Sequence, residues 1–168
     1  MNDTSPVLRD EHFRAFGAIV HLFARHETLM VGVMSKLMNA DIAELHMIAA
    51  ELPYRGKRDA LLAMIKSKLL PPEQIERITW FLGELHKRNG LRNAIAHSAW
   101  KHGARDNAVK PLSLSVRGEK VTIKGTDEDE LDYTDQELVN IAIDLDTNYH
   151  RFRDYLFSID LLPREAEQ

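Results

Sequence analysis

Apolar residues recur every three or four positions through the first part of the chain. Phe13, Phe16, Val20, Phe23, Met30, Val33, Met34 and Leu37 share one helical face, which predicts a long helix over 6–38. Ser5-Pro6 offers a start, with proline at the first helical position. DIAELHMIAAEL (41–52) fits a further helix or helical turn, which Pro53 interrupts. KRDALLAMIKSKLL (57–70) predicts a third helix, stopped by Pro71-Pro72. Those prolines open a fourth, from about Glu73 to Ser98.

After Gly103 the period changes from helical to two. LSLSV (112–116) and VTIKG (121–125) alternate apolar and polar residues and predict a β-hairpin over about 112–125. The connection Arg117-Gly118-Glu119-Lys120 suits a type II′ turn, with glycine at its first central position. The acidic run 126–132 is expected in solvent. Thr134-Asp135-Gln136-Glu137 then reads as a capping box. Behind it Leu138, Ile141, Leu145, Tyr149, Phe152, Leu156 and Ile159 form the core face of a last helix, and 163–168 reads as a frayed tail. The fold class expected is all-α: an up-and-down helical bundle, one domain over 1–168, with a small β-hairpin inserted before the last helix.

Composition narrows the classes. At 168 residues and 44% hydrophobic content the chain is long and apolar enough for a packed core. It has no cysteine, so disulfides, thiolate metal sites and cysteine nucleophiles are excluded, and a reducing cytoplasm is the expected compartment. The N-terminal residues do not form a signal peptide, and no apolar run suits a membrane span. The formal net charge of −4 gives no overall basic character. Residues 86–110 differ: Lys87, Arg88, Arg92, Lys101, Arg105 and Lys110 face a single acid, Asp106. An anionic ligand would find this segment attractive rather than the whole molecule.

That segment holds the least expected pattern in the chain. Ile75, Ile78, Leu82 and Leu85 form an apolar stripe on the fourth helix. Advanced by about 100° per residue, the same stripe continues through Asn89, Arg92, Asn93, Ala96 and Trp100, with His86 and His97 on its flank. A buried arginine or amide without partners is costly. Either these groups satisfy one another, with Arg92 reaching Asp144 or Asp146 on the last helix, or the stripe leaves the core and lines a cleft or interface.

The stretch LRNAIAHSAW (91–100) resembles the motif of the HEPN superfamily: an arginine, often with a polar residue directly after it, and a histidine beyond four to six intervening residues. The position in the later part of a penultimate long helix of an α-bundle is similar too. Spacing alone is not selective, since Arg14 and His21 repeat it on the first helix; the adjacent Asn93, the core-facing stripe and Trp100 distinguish Arg92–His97. The resemblance implies metal-independent endonucleolytic cleavage of RNA, toxin-like or defence-related, by a homodimer that sets two motifs side by side. His97 would act as base or acid near neutrality. Arg92 would stabilise phosphoryl charge through its fork of donors, and Asn93 would hold the imidazole or the phosphate. Arg88, Asn89, Trp100 and Lys101 are the candidate RNA- or phosphate-binding residues. The products would be a 2′,3′-cyclic phosphate and a 5′-hydroxyl. A cognate antitoxin would be the partner of such a toxin; the alternative is a non-catalytic dimeric binding or scaffold module for RNA, a nucleotide or a protein partner. No cofactor or metal is expected: none of the eight histidines has a glutamate three residues before it, as a di-metal bundle requires. Asp146 and His150 are spaced for an exposed ion pair.

Overall fold

A computed structural model describes residues 7–117, 120–124 and 132–162, with side chains for 7–112 and 132–162. The order is α1 (Asp10–Met38), α2 (Ile42–Ala50), α3 (Tyr54–Ser67), α4 (Pro72–His97), β1 (Ala99–His102), β2 (Ala108–Arg117), β3 (Lys120–Lys124), β4 (Tyr133–Thr134) and α5 (Asp135–Ser158). The molecule is mostly helical with a small antiparallel sheet. Two compact units are formed, one by residues 1–21 and 88–144, the other by residues 22–87 and 145–168. No helix among the described residues is long and apolar enough to cross a membrane.

Local chemistry sets the helix ends. α1 begins at Asp10, later than the Pro6 start the pattern predicts; Arg9 precedes it and its backbone N–H donates to His12 Nδ1 at 3.1 Å. Acidic Asp10 and Glu11 complement the dipole in that first turn. Asn39, with φ of 52°, closes the other end, a left-handed position that asparagine tolerates. Asp41 caps α2 by accepting from Ala43 N and Glu44 N. α3 runs three residues ahead of its predicted span at both ends. Pro53 is its N-cap, and the chain turns out at Lys68 and Leu69 (φ 54°) because a residue before proline, here Leu70, disfavours helix. Pro72 opens α4 as predicted, with Ile75 N bonded to Pro71 O. The capping box forms in full: Thr134 N donates to Glu137 Oε2 at 2.8 Å, and Glu137 N donates to Thr134 Oγ1 at 3.2 Å.

The core stripe of α1 keeps Phe16, Phe23, Met30, Val33 and Met34 of the predicted face and gives up Phe13 and Val20 to solvent. Ala15, Phe16, Ile19, Leu22, Phe23, Met30, Val33 and Met34 are buried, whereas Phe13 is 58% exposed and Val20 faces solvent. In the 22–87/145–168 unit, Phe81 stacks on Phe152 at 5.1 Å and Phe23 meets Tyr54 edge-on at 5.8 Å. The Tyr54 hydroxyl donates to Leu82 O, and burial pushes its pKa up. Each fully buried aromatic or aliphatic side chain contributes roughly 1.5–3 kcal/mol. On α5 Leu138, Ile141, Leu145, Phe152 and Leu156 are buried as predicted; Tyr149 is half-buried, as is Ile159 just past the helix end.

The sheet is larger than a hairpin. β2 and β3 pair from Ser113↔Lys124 to Arg117↔Lys120, as the sequence predicts; the turn conformation at Gly118-Glu119 lies outside the described residues. β2 starts at Ala108, four residues early, and its first half pairs with β1, from Ala99↔Leu112 to His102↔Val109. β4 adds Ala108↔Thr134 and Val109↔Tyr133. The predicted extension of the α4 stripe to Trp100 is thereby corrected: the helix ends at His97, and Trp100 and Lys101 are strand residues, held by backbone bonds to β2.

Candidate functional site

The last turns of α4 carry the motif. Leu91 is buried and anchors the segment. Arg92 is half-buried, and its Nη1 donates to Asn93 Oδ1 at 2.9 Å. Asn93 and His97, one turn apart on the same face, are both exposed. His97 occupies the final turn of the helix. The stripe that is buried at Ile78, Leu82 and Leu85 therefore reaches solvent as it turns polar.

The alternative in which Arg92 pairs with Asp144 or Asp146 is not the arrangement seen for those acids. Asp144 faces Arg88 at 3.5 Å, and Asp146 faces Arg25 at 3.4 Å and His150 at 3.5 Å. The basic segment is also less naked than its composition suggests. Lys87 meets Glu84 at 2.5 Å, Arg88 meets Asp144, and Arg105 meets Asp132 and Glu137, both at 2.7 Å. Lys110, opposite Lys101 in the β1–β2 register, is buried.

Trp100 and Lys101 cannot serve one ligand from the same face, because successive strand residues point to opposite sides. Trp100 packs against Phe16 of α1, ring centroids 4.6 Å apart. Its indole Nε1 and the Asn89 Oδ1 are buried without a hydrogen-bond partner among the described residues. A buried donor or acceptor left unmet costs about 1–3 kcal/mol. These two lie on either side of the motif in sequence. The structure thus joins Arg92 to Asn93 and Arg88 to the last helix, but sends Trp100 and Lys101 to opposite faces of β1.

Three features were not anticipated. Asp132, expected in solvent with the rest of 126–132, is 8% exposed; residues 126–131 lie outside the described residues. It accepts from Ala104 N at 2.8 Å, Arg105 N at 3.1 Å and Arg105 Nε at 2.7 Å. Burial works to raise its pKa, but the hydrogen bonds from Arg105 and Ala104 outweigh it and hold the carboxyl low. The other arm of Arg105 grips Glu137, whose carboxyl is pulled down to about 2 by that contact and by Thr134 N–H. Gly103 makes the close approach possible: a Cβ there would stand 2.5 Å from Asp132 Oδ2. The available signal was an acid, Asp132, two residues before the capping box; its approach to Gly103 is set by the fold.

The second feature is a pair of buried histidines on the α1 core stripe, His12 and His26. With Nδ1 of His12 accepting from Arg9 N–H, its ring proton sits on Nε2, which faces Asn107 O at 3.3 Å. His26 Nδ1 donates to Leu22 O at 2.8 Å, and its Nε2 lies 3.1 Å from the Asn148 carboxamide. Burial lowers the His26 pKa, only partly offset by the bonds to Leu22 and Asn148. A neutral ring that donates through Nδ1 accepts at Nε2, which the Asn148 amide N–H satisfies in one of its two orientations.

The third is an open cavity of about 640 Å³ walled by Arg9, His12, His102, Arg105, Asp106 and Asn107. Its two arginines are engaged by Asp135, Asp132 and Glu137, so it offers little free positive charge. None of the seven predicted site residues lines it. Among the described residues no cluster of three or more His, Asp or Glu side chains is placed to hold a metal ion.

Compared with family models, curated proteins and solved structures, the sequence matches none of them.

Proposed function

We propose that the chain is a HEPN-like, metal-independent endoribonuclease whose site is completed by a second copy. The observation that carries this reading is the end of α4. A core stripe gives way to a hydrogen-bonded Arg92–Asn93 pair, with His97 exposed one turn beyond on the same face.

The residues suit transesterification of RNA. The 2′-oxygen attacks the adjacent phosphorus and loses its proton to the neutral His97 of one copy. The P–O2′ bond forms as the P–O5′ bond breaks. The departing 5′-oxygen takes a proton from the protonated His97 of the other copy. Arg92 stabilises the charge on the non-bridging oxygens, and Asn93 holds Arg92 in place through its carboxamide oxygen. Arg88 and Lys101 extend the cationic track. A role in defence or as a toxin with an antitoxin partner fits such an activity.

A second reading is a non-catalytic dimeric module that binds RNA, a nucleotide or a protein with the same face. The neutralisation of Lys87, Arg88 and Arg105 by carboxylates favours it. Incubating purified protein with assorted RNAs in EDTA, beside His97→Ala and Arg92→Ala, separates the two. The nuclease reading expects cleavage by the unaltered chain and a loss of about 10²-fold or more in each variant. Absence of cleavage favours the binding module, and equal cleavage by all three proteins removes the site assignment.

A further inference from the structure

α2 is built unlike a surface helix. Of its nine residues only Leu45 and Ala49 are buried. Met47 and Ile48 are 68% and 66% exposed, and Ile42 is 49% exposed. An amphipathic surface helix turns its polar side outward, whereas this one turns apolar side chains to water, as interaction surfaces do. Glu44, Met47, Ile48 and Glu51 stand at i, i+3, i+4 and i+7, on the face opposite Leu45 and Ala49. All four are exposed, and Glu51 keeps helical dihedrals as the C-cap. Two apolar anchors are thus bracketed by two carboxylates.

The charge around this face is one-sided. From residue 37 to residue 54 there is no lysine or arginine, while Asp41, Glu44 and Glu51 are acidic. The first cations that follow, at the start of α3, make ion pairs of their own: Lys57 with Glu27, and Arg55 and Arg58 both with Asp59. Beside α2 lies a cleft of about 170 Å³, walled by Ala24, Thr28 and Val31 of α1, His46 and Ala50 of α2, and Lys57.

We infer that the outer face of α2 is a docking surface for a cationic amphipathic helix of a partner protein. Its apolar side chains would cover Met47 and Ile48, and its lysines or arginines would meet Glu44 and Glu51. Charge selects this occupant. A second copy would lay acid on acid, and an anionic lipid surface would be repelled by the same carboxylates. Helix-on-helix recognition through i, i+3, i+4 and i+7 anchors needs only a short face such as this one. The inference is independent of the nuclease reading, since α2 lies wholly in the 22–87/145–168 unit and carries none of the motif.

The test uses the full chain and two labelled peptides. Both carry leucine at i, i+3, i+4 and i+7; one has lysine at its polar positions and the other glutamate. Fluorescence anisotropy is read at about 0.15 M salt, where surface charge is screened beyond about 8 Å. The expected result is saturable binding of the lysine peptide, at least about tenfold tighter than the glutamate peptide. Met47→Ser with Ile48→Ser should weaken it by about tenfold or more while the far-UV spectrum stays unchanged. Glu44→Gln with Glu51→Gln should remove most of the preference between peptides. The proposal is overturned if neither peptide binds or if binding ignores these substitutions. It is equally overturned if the Met47/Ile48 variant instead loses self-association or adsorption to anionic phosphatidylglycerol vesicles.

Discussion

His26 couples the core of α1 to pH. It is fully buried, and burial holds its pKa below the ordinary histidine value. In the unfolded chain it takes up a proton near pH 6.5; in the folded chain it does so only at lower pH. The unfolded state therefore binds more protons in that window, and folding stability falls as pH drops below about 6.5. Urea unfolding at pH 7.5, 6 and 5 should show this loss, and His26→Gln should show a shallower one; equal slopes would contradict the assignment. At this scale the sequence was partly legible. Arg92, Asn93 and His97 stood out because they interrupt a run of Ile and Leu. His12 and His26 did not, because Phe13 and Val20 mark a neighbouring helical face and look like core. Which face is buried depends on what packs against the helix, and His12 is buried against a turn, at Asn107, that no periodicity shows.

The elements depend on their ends and on one turn. The capping box at α5 also anchors that turn, because Glu137 satisfies Thr134 N–H and grips Arg105 together. Thr134→Ala should cost about 1 kcal/mol in a chemical melt. Glu137→Gln should matter more at neutral pH than in acid. Its carboxyl is held at about 2, below the ordinary glutamate value, so its contribution is present above about pH 4.5 and is lost as pH falls toward 2. The unaltered chain should lose stability through that interval, and the variant should lose less. The capping box was readable because all its chemistry lies within four residues. β1 was not: AWKH is too short to show alternation, and its partner lies at 109–112, so only pairing reveals it. That pairing also ends α4 at His97 and fixes the motif in the final helical turn.

For the whole molecule the open matter is how many copies act together. One histidine cannot supply base and acid in the same step, so the nuclease reading requires two motifs within reach of one phosphate. Sedimentation at micromolar concentration should give twice the 19.3 kDa mass of the chain, and a strict monomer would remove the composite site. Mixed with excess His97→Ala chain, the unaltered protein should lose activity as mixed dimers form. Helical dominance and the late hairpin were legible from periodicity, but a second copy leaves no mark on the period of a helix. What the sequence offered was a stripe that should have stayed apolar, and the structure brings the end of that stripe to the surface.

The chemistry of the cut ends tests the central claim most directly. RNA cleaved in EDTA by the unaltered chain should carry 2′,3′-cyclic phosphate and 5′-hydroxyl ends, and His97→Ala should produce neither. Ends bearing 3′-hydroxyl and 5′-phosphate, or the same cleavage by both proteins, would contradict it.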